Sequence, residues 1–348
     1  MTVFYVTGNV KGSGKTSLVS ALAQISLGTG VSTAIGKPIS VGGASEEGNK
    51  KEKDFEFYSQ LDQSISRSND APLTVSTNEL EGNAQLVERT VGDVNQLSTQ
   101  SDNVIVDGLD WFLPDGSVNS TAVKICENLH PKIILVLRFS NPCELGALVN
   151  SVQEIGGDLL GVIINGVTRH RWHYVINSIA PLFLSAGVNV LGVIPEDRRM
   201  LAPCVNDIAE HLNAEILSYP ENCDELVEHF MVGGWFLDQG AYVFDRREQK
   251  AVVVRADRPD LHMAALQSSA VCLILTGGQN PIQYITYHAD QLGVPLLSVR
   301  EETVEIMEKL ETLQDKNATY NFRKTNRFQE LIVEFVPPGS FEAVLSSK

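Results

Sequence analysis

Through the first two hundred residues, short runs of consecutive apolar positions alternate with stretches in which apolar residues recur every three or four places. That alternation predicts parallel strands buried on both faces, with amphipathic helices between them: an α/β fold with helices on both faces of a parallel sheet. The strand runs are Val3 to Thr7, Ser32 to Lys37, Asn103 to Asp107, Lys132 to Leu137, Leu160 to Asn165 and Val188 to Ile194. Between the second and third lies Ser45 to Lys53, dense in mixed charge, which reads either as a lid or as a solvated loop with no role. A proline and charges at Pro195-Glu196-Asp197-Arg198-Arg199 close the last run. An amphipathic helix from Cys204 to Leu212 then opens a second, smaller α/β unit. Its strands are Ala251 to Arg255, Val271 to Leu275 and Leu296 to Val299, with helices near Leu261 to Gln267, Ile282 to Leu292 and Thr303 to Leu313. A terminal helix from Thr319 to Phe335 and a short tail follow. The expected domains are 1–198 and 199–315, with 316–348 as helix and tail; no repeat at a solenoid period is visible.

Composition narrows the partners. A formal charge of -16 over 348 residues disfavours nucleic acid and anionic membrane, both of which need a basic surface. No apolar run approaches the length of a membrane span, and the strand-like Val3-Phe4-Tyr5-Val6-Thr7 leaves no room for a signal peptide, so a cytoplasmic protein is expected. The five cysteines stand singly and read as reduced and packed. His170 and His173, at helical spacing, read as a solvated face, because no carboxylate or cysteine stands near in sequence to complete a metal site.

The chemistry concentrates in Gly8-Asn9-Val10-Lys11-Gly12-Ser13-Gly14-Lys15-Thr16, placed after a strand and opening a helix. Glycines there let backbone N–H groups turn inward around phosphate oxygens, and the helix start adds the positive end of its dipole. Lys15 reaches the β/γ-phosphates and Thr16 can ligate magnesium. ATP with Mg2+ is the expected ligand. Lys37, closing a strand, reads as a second catalytic cation or as an ordinary surface lysine before a proline turn. Asp107, ending an apolar strand, reads as a magnesium-facing carboxylate. Asn165 reads as a purine-pairing amide or as a turn residue before Gly166.

The loop is one residue longer than the common form, and this Gly-x5-Gly-Lys-Thr pattern resembles that of dethiobiotin synthetase, an ATP-dependent carboxylating and ring-closing enzyme. Lys37-Pro38-Ile39-Ser40-Val41-Gly42 is similar to its KPxxSG segment, whose lysine and serine face phosphates and substrate. The resemblance implies a magnesium-binding role for Asp54 and a purine-reading one for Asn165, and Gly192-Val193-Ile194-Pro195 is similar to the family's GxIP strand end. Where the family has Glu-Gly-x-Gly-Gly, this chain has Asp107-Gly108-Leu109-Asp110-Trp111, so the glycines that would present N–H groups to a carbamate or carboxylate are missing. The order of units, with Asp257-Arg258 and Leu275-Thr276-Gly277-Gly278 in the second, resembles the N-terminal half of long phosphotransacetylases, where the second unit is a DRTGG domain. Asp257, Arg258, Thr276, Gly277 and Gly278 then stand where open α/β sheets place ligands, or else cap helices and make a turn. In those long enzymes acetyl transfer belongs to a separate C-terminal domain, so acetyltransferase activity is expected to be absent. Two functions are expected to compete. One is a nucleotide-responsive regulator acting on a protein partner or within a homodimer or larger homo-oligomer. The other is an ATP-dependent ligase or kinase that holds a small anionic substrate with Lys37 and Lys11.

Overall fold

The computed structural model describes residues 2–41, 53–61, 63–68, 71–76, 79–80, 82–155, 158–234, 240–313, 321–337, 339–341 and 345, with the side chains of 53–56, 142–143, 220 and 240–241 set aside. The chain forms two units, Met1–Glu196 with Lys324–Lys348, and Asp197–Arg323. The charged stretch from Ser45 to Glu52 and Gly42 lie outside the described residues.

In the first unit the strands are β1 (Thr2–Gly8), β2 (Thr33–Gly36), β3 (Ile39–Val41), β4 (Ser66–Arg67), β5 (Leu73–Val75), β6 (Asn103–Asp107), β7 (Lys132–Arg138), β8 (Leu159–Val167) and β9 (Val190–Pro195). Seven of them make one parallel sheet in the order β4-β2-β6-β1-β7-β8-β9. After β1 the chain lays β2 and β4 on one side, returns to place β6 between β2 and β1, then crosses to β7 on the other side. The loop after β1 therefore sits at a topological switch point, where open α/β sheets leave a crevice at the strand ends. The apolar runs are buried on both faces as expected: Phe4, Val6, Val104, Ile105, Val106 and the interior of β7 are all buried. Helix Lys15–Gly28 is covered along most of its length, and Leu18 and Leu22, one turn apart, are fully buried, each contributing roughly 1.5–3 kcal/mol.

The run from Ser32 to Lys37 does not continue as one strand. Pro38 has no N–H for a sheet ladder and restricts Lys37 before it, so the chain leaves the main sheet there and β3 pairs instead with β5. Sharp ends elsewhere have local causes. Asn83, Asn119 and Asn141 accept helix N–H groups as N-caps, and helix Gln283–Leu292 stops at Gly293, whose φ of 67° suits a left-handed cap.

The second unit holds β10 (Glu215–Ser218), β11 (His229–Gly233), β12 (Lys250–Arg255), β13 (Ala270–Thr276) and β14 (Leu296–Ser298), in the order β10-β14-β13-β12-β11, with only β10 antiparallel. Its three central strands are those the sequence predicts. The two edge strands carry no apolar run because each is partly exposed. Cys126, Cys204, Cys223 and Cys272 are buried and unbridged, and burial pushes the thiols of Cys126 and Cys204 up to about 12. The side chain of Cys143 lies outside the described residues. Among the described residues no helix is long and apolar enough to cross a membrane.

Candidate functional site

The loop from Gly8 to Lys15 is built from its backbone outward. Asn9 donates its N–H to the Val136 carbonyl at 3.2 Å, and its Oδ1 accepts the Arg138 N–H at 2.9 Å. Arg138 also reaches back through Nη1 to the Gly12 carbonyl at 3.0 Å. Asn165 Nδ2 donates to the Ser13 carbonyl at 2.8 Å. The loop is thus pinned to the ends of β7 and β8 at three places. Gly12 (φ 76°) and Gly14 (φ 104°) take left-handed conformations, and a Cβ on Gly14 would lie 2.4 Å from Asn165 Nδ2. Asn165 accordingly sits under the loop, holding it.

Helix Lys15–Gly28 starts from Gly14 with no side-chain cap. A fourteen-residue helix that starts from a glycine without a side-chain cap, behind a glycine loop, has the geometry that seats phosphate oxygens. One further group fits such a ligand: Ser13 Oγ is buried and has no hydrogen-bond partner among the described residues.

Two ion pairs face this loop. Lys15 Nζ pairs with Asp110 Oδ1. Lys37 Nζ pairs with Asp107 Oδ2 at 3.2 Å, and these side chains are 10% and 2% exposed. The same Oδ2 accepts from Tyr58 OH at 2.9 Å. Asp107 ends β6 in register with Val6, two residues before Gly8, and such a hydrogen-bonded carboxylate is a hard oxygen donor of the kind magnesium takes. Among the described residues no group of three or more His, Cys, Asp or Glu side chains forms a metal cluster, so a metal here would rely on phosphate oxygens and water for its remaining ligands.

Beyond Asp107 the chain is tied down closely. Tyr5 OH accepts the Leu109 N–H at 3.0 Å, Thr7 Oγ1 donates to the Leu109 carbonyl at 2.7 Å, and Trp111 N–H donates to the Gly8 carbonyl at 2.8 Å. Burial, with a smaller contribution from the nearby Cys126 thiol, holds the Tyr5 phenol well above its ordinary range, so it is a neutral hydroxyl. Asn119 caps helix Ser120–Leu129 with Oδ1 and donates Nδ2 to the Asp110 carbonyl at 3.0 Å.

Of the residues singled out from sequence, Gly8, Asn9, Gly12, Ser13, Gly14, Lys15 and Asn165 meet at this loop, with Thr16 on the helix start and the Lys37–Asp107 pair beside β1. Val10 and Lys11 are exposed on its outer rim. Ser40 lies in β3, partly buried. Asp54 falls on helix Lys53–Gln60, but its side chain lies outside the described residues. Tyr5, Tyr58, Arg138, Asn119 and the Asp110 carboxylate were not singled out as site groups. Of these only Asp110 carried a signal, an acidic residue where the related loop has glycine. His170 and His173 are exposed.

A separate cluster lies in the second unit. Arg255 and Thr276 are in register at the ends of β12 and β13. Asp257 accepts two hydrogen bonds from the Arg255 guanidinium, at 3.1 and 3.0 Å, and that guanidinium holds its carboxyl below the usual carboxylate range. Arg258 binds Asp260 in the same two-pronged way. Thr276 Oγ1 shares a hydrogen bond with Thr303 Oγ1 at 2.9 Å. Gly277 (φ 90°) and Gly278 (φ 67°) form a left-handed turn whose N–H groups go to the Glu301 and Val299 carbonyls. The local reading of the glycines as a turn accounts for their geometry. Asp257 is not the N-cap of helix Pro259–Gln267; that position is Arg258, without a side-chain bond.

Residues 2–203 match the family model described as an AAA domain, and residues 207–313 match that of the DRTGG domain. The chain is similar to the phosphate acetyltransferase of Haemophilus influenzae, 25% identical over 237 residues that cover 56% of this chain and 31% of that one. It is also similar to the phosphate acetyltransferase of Nitratidesulfovibrio vulgaris, 25% identical over 266 residues covering 70% and 37%. The chain spans about a third of the length of these relatives. Among solved structures, the CBS and DRTGG domains of the regulatory region of Clostridium perfringens pyrophosphatase are similar at 12% identity and a TM-score of 0.29, over 43% of this chain and 73% of that one.

Proposed function

We propose that this chain, which belongs to the AAA-domain family and carries a DRTGG domain behind its dethiobiotin-synthetase-like P-loop domain, is a regulator that responds to magnesium and ATP. It is distantly related to the N-terminal region of phosphate acetyltransferases, and acetyl transfer is not part of the proposed role. The observation that carries the reading is the pinned glycine loop, with its uncapped helix start and Lys15 at its rim, next to the buried Asp107 carboxylate. Lys15 would hold the β/γ-phosphates, and Thr16 and Asp107 would hold the magnesium ion, which supplies charge neutralisation.

The ligase or kinase reading finds less support. An anionic acceptor needs unpaired cations or free N–H groups beside the phosphates. Here Lys37, one of the two cations that reading uses, is bound to Asp107, and the Trp111 N–H is taken by the Gly8 carbonyl, while Lys11, the other, lies exposed on the outer rim of the loop. In the proposed role, the second unit, with its cluster around Asp257 and Thr276, passes nucleotide occupancy to a protein partner or to a second copy of the chain.

Calorimetric titration of ATP with magnesium into the full chain and its Lys15→Ala variant tests the binding step. A charged hydrogen bond of about 1.5–3 kcal/mol corresponds to a loss of roughly 10- to 150-fold in affinity. Equal affinities in the two proteins would remove the P-loop from the account.

A further inference from the structure

We propose that Asp110 is a tethered stand-in for a phosphate: its carboxylate holds Lys15, so nucleotide binding is an exchange in which magnesium-bound polyphosphate displaces a built-in anion. This rests on the nucleotide-binding reading above and assigns a competitor, and with it a selectivity, to the same site.

The carboxylate lies within the glycine cradle. Oδ1 is paired with Lys15 Nζ, and a Cβ placed on Gly8 would stand 3.1 Å from that oxygen and 2.2 Å from Ser13 Oγ. Asp110 thus shares the space above Gly8 with the buried Ser13 hydroxyl, which has no partner among the described residues. Its aim is built into the backbone. Leu109 is fastened through its N–H to Tyr5 and through its carbonyl to Thr7, the Asp110 carbonyl is held by Asn119, and the Trp111 N–H is held by Gly8. Only the side chain keeps freedom, and at 27% exposure it has room to swing out.

The Lys15 ammonium has three donors and can bridge two oxygens, but a carboxylate and a phosphate gathered at one ammonium repel each other, so each weakens the other's hold. A phosphate that takes Lys15 therefore gains by driving the Asp110 carboxylate away. A weak or singly charged anion gains too little to do so. A polyphosphate carrying magnesium gains several contacts and brings a cation that screens the displaced carboxylate. The site therefore selects against metal-free ATP and inorganic phosphate, and the displaced side chain marks the occupied state.

The test is calorimetry on the full chain as wild type, Asp110→Asn and Asp110→Ala, with ATP in excess magnesium, ATP in chelator, and inorganic phosphate in turn. Thermal melts check folding, and the two replacements back each other should one fold poorly. Both variants are expected to bind ATP with magnesium at least tenfold more tightly than wild type, and metal-free ATP is expected to gain more still, narrowing the preference for the metal complex. On a Lys15→Ala background the replacement of Asp110 should give no gain, since the competed group is gone. Tightening in the variants with no detectable binding by wild type would support the proposal as well. Wild-type binding with no tightening in Asp110→Asn would overturn the exchange while leaving the nucleotide reading intact. Binding by none of the three proteins would overturn both.

Discussion

Gly108 has no side chain because the Tyr5 ring occupies its place. A Cβ there would lie 2.3 Å from Cζ and 2.5 Å from Cε1 of that ring. Tyr5 is fully buried in the middle of β1 and its hydroxyl accepts the Leu109 N–H, so the ring cannot retreat without breaking the bond that positions the next residues. Gly108→Ala is expected to destabilise the first unit by about 1–3 kcal/mol, the cost of overpacking a filled core. Denaturant unfolding checks this; an unchanged midpoint would mean that the ring yields freely. The same residues mark how far sequence reading reaches. The Gly8 to Thr16 loop is legible because its chemistry is written in nine adjacent positions, and Lys37 and Asp107 because each closes an apolar strand. Asp110 was legible only as a missing glycine. Its partner Lys15 stands 95 positions away, and no local pattern joins the two. Tyr58 comes from a polar stretch with no periodic signal, yet its hydroxyl bonds the buried oxygen of Asp107.

Among the elements, strands buried on both faces were readable and edge strands were not. β1, β6, β7 and the central strands of the second unit stand out as apolar runs because neighbours cover both their sides. β10 and β11 lie at sheet edges, where half-exposed positions dilute the pattern. Helix Pro259–Gln267 carries the clearest pH dependence. His262 on its buried side donates Nε2–H to the Arg255 carbonyl at 2.9 Å, while Nδ1 has no partner among the described residues. Burial lowers its pKa below the ordinary histidine value, against smaller opposing effects from that carbonyl and from Asp260 and Asp257. The unfolded chain therefore takes up a proton as the pH falls below about 6.5, while the folded chain does not until its own lower pKa is reached. This stability is complete above the unfolded value and is lost as the pH falls from there toward the folded one. Melting temperature is expected to drop between about pH 7.5 and 5.5, and the drop should be shallower in His262→Gln. Equal slopes would show that another group sets the dependence.

At the scale of the whole molecule, the two units each have their own core and sheet. The α/β class and the order of the units followed from strand runs and motifs. The placing of the terminal segment did not, because where a final helix packs is decided by surfaces distant in sequence. Lys324–Lys348 belongs with the first unit. Phe335 meets Trp172 edge to face at 5.3 Å, and Asn103 Nδ2 donates to the Leu345 carbonyl at 2.8 Å. Gly192 is bare because a Cβ would lie 2.7 Å from Val336 Cγ2, a requirement that the Gly192-Val193-Ile194-Pro195 motif does not itself disclose. The central claim is that magnesium and ATP at the P-loop produce a response in the second unit. Hydrogen–deuterium exchange of the full chain, with and without ATP and magnesium, measures this directly, with the Lys15→Ala variant alongside. In the wild type, exchange is expected to slow across residues 8–16 and to change across residues 250–278, which hold the Asp257 and Thr276 cluster, with neither effect in the variant. Slowing at residues 8–16 with exchange across 250–278 untouched would contradict the regulatory role.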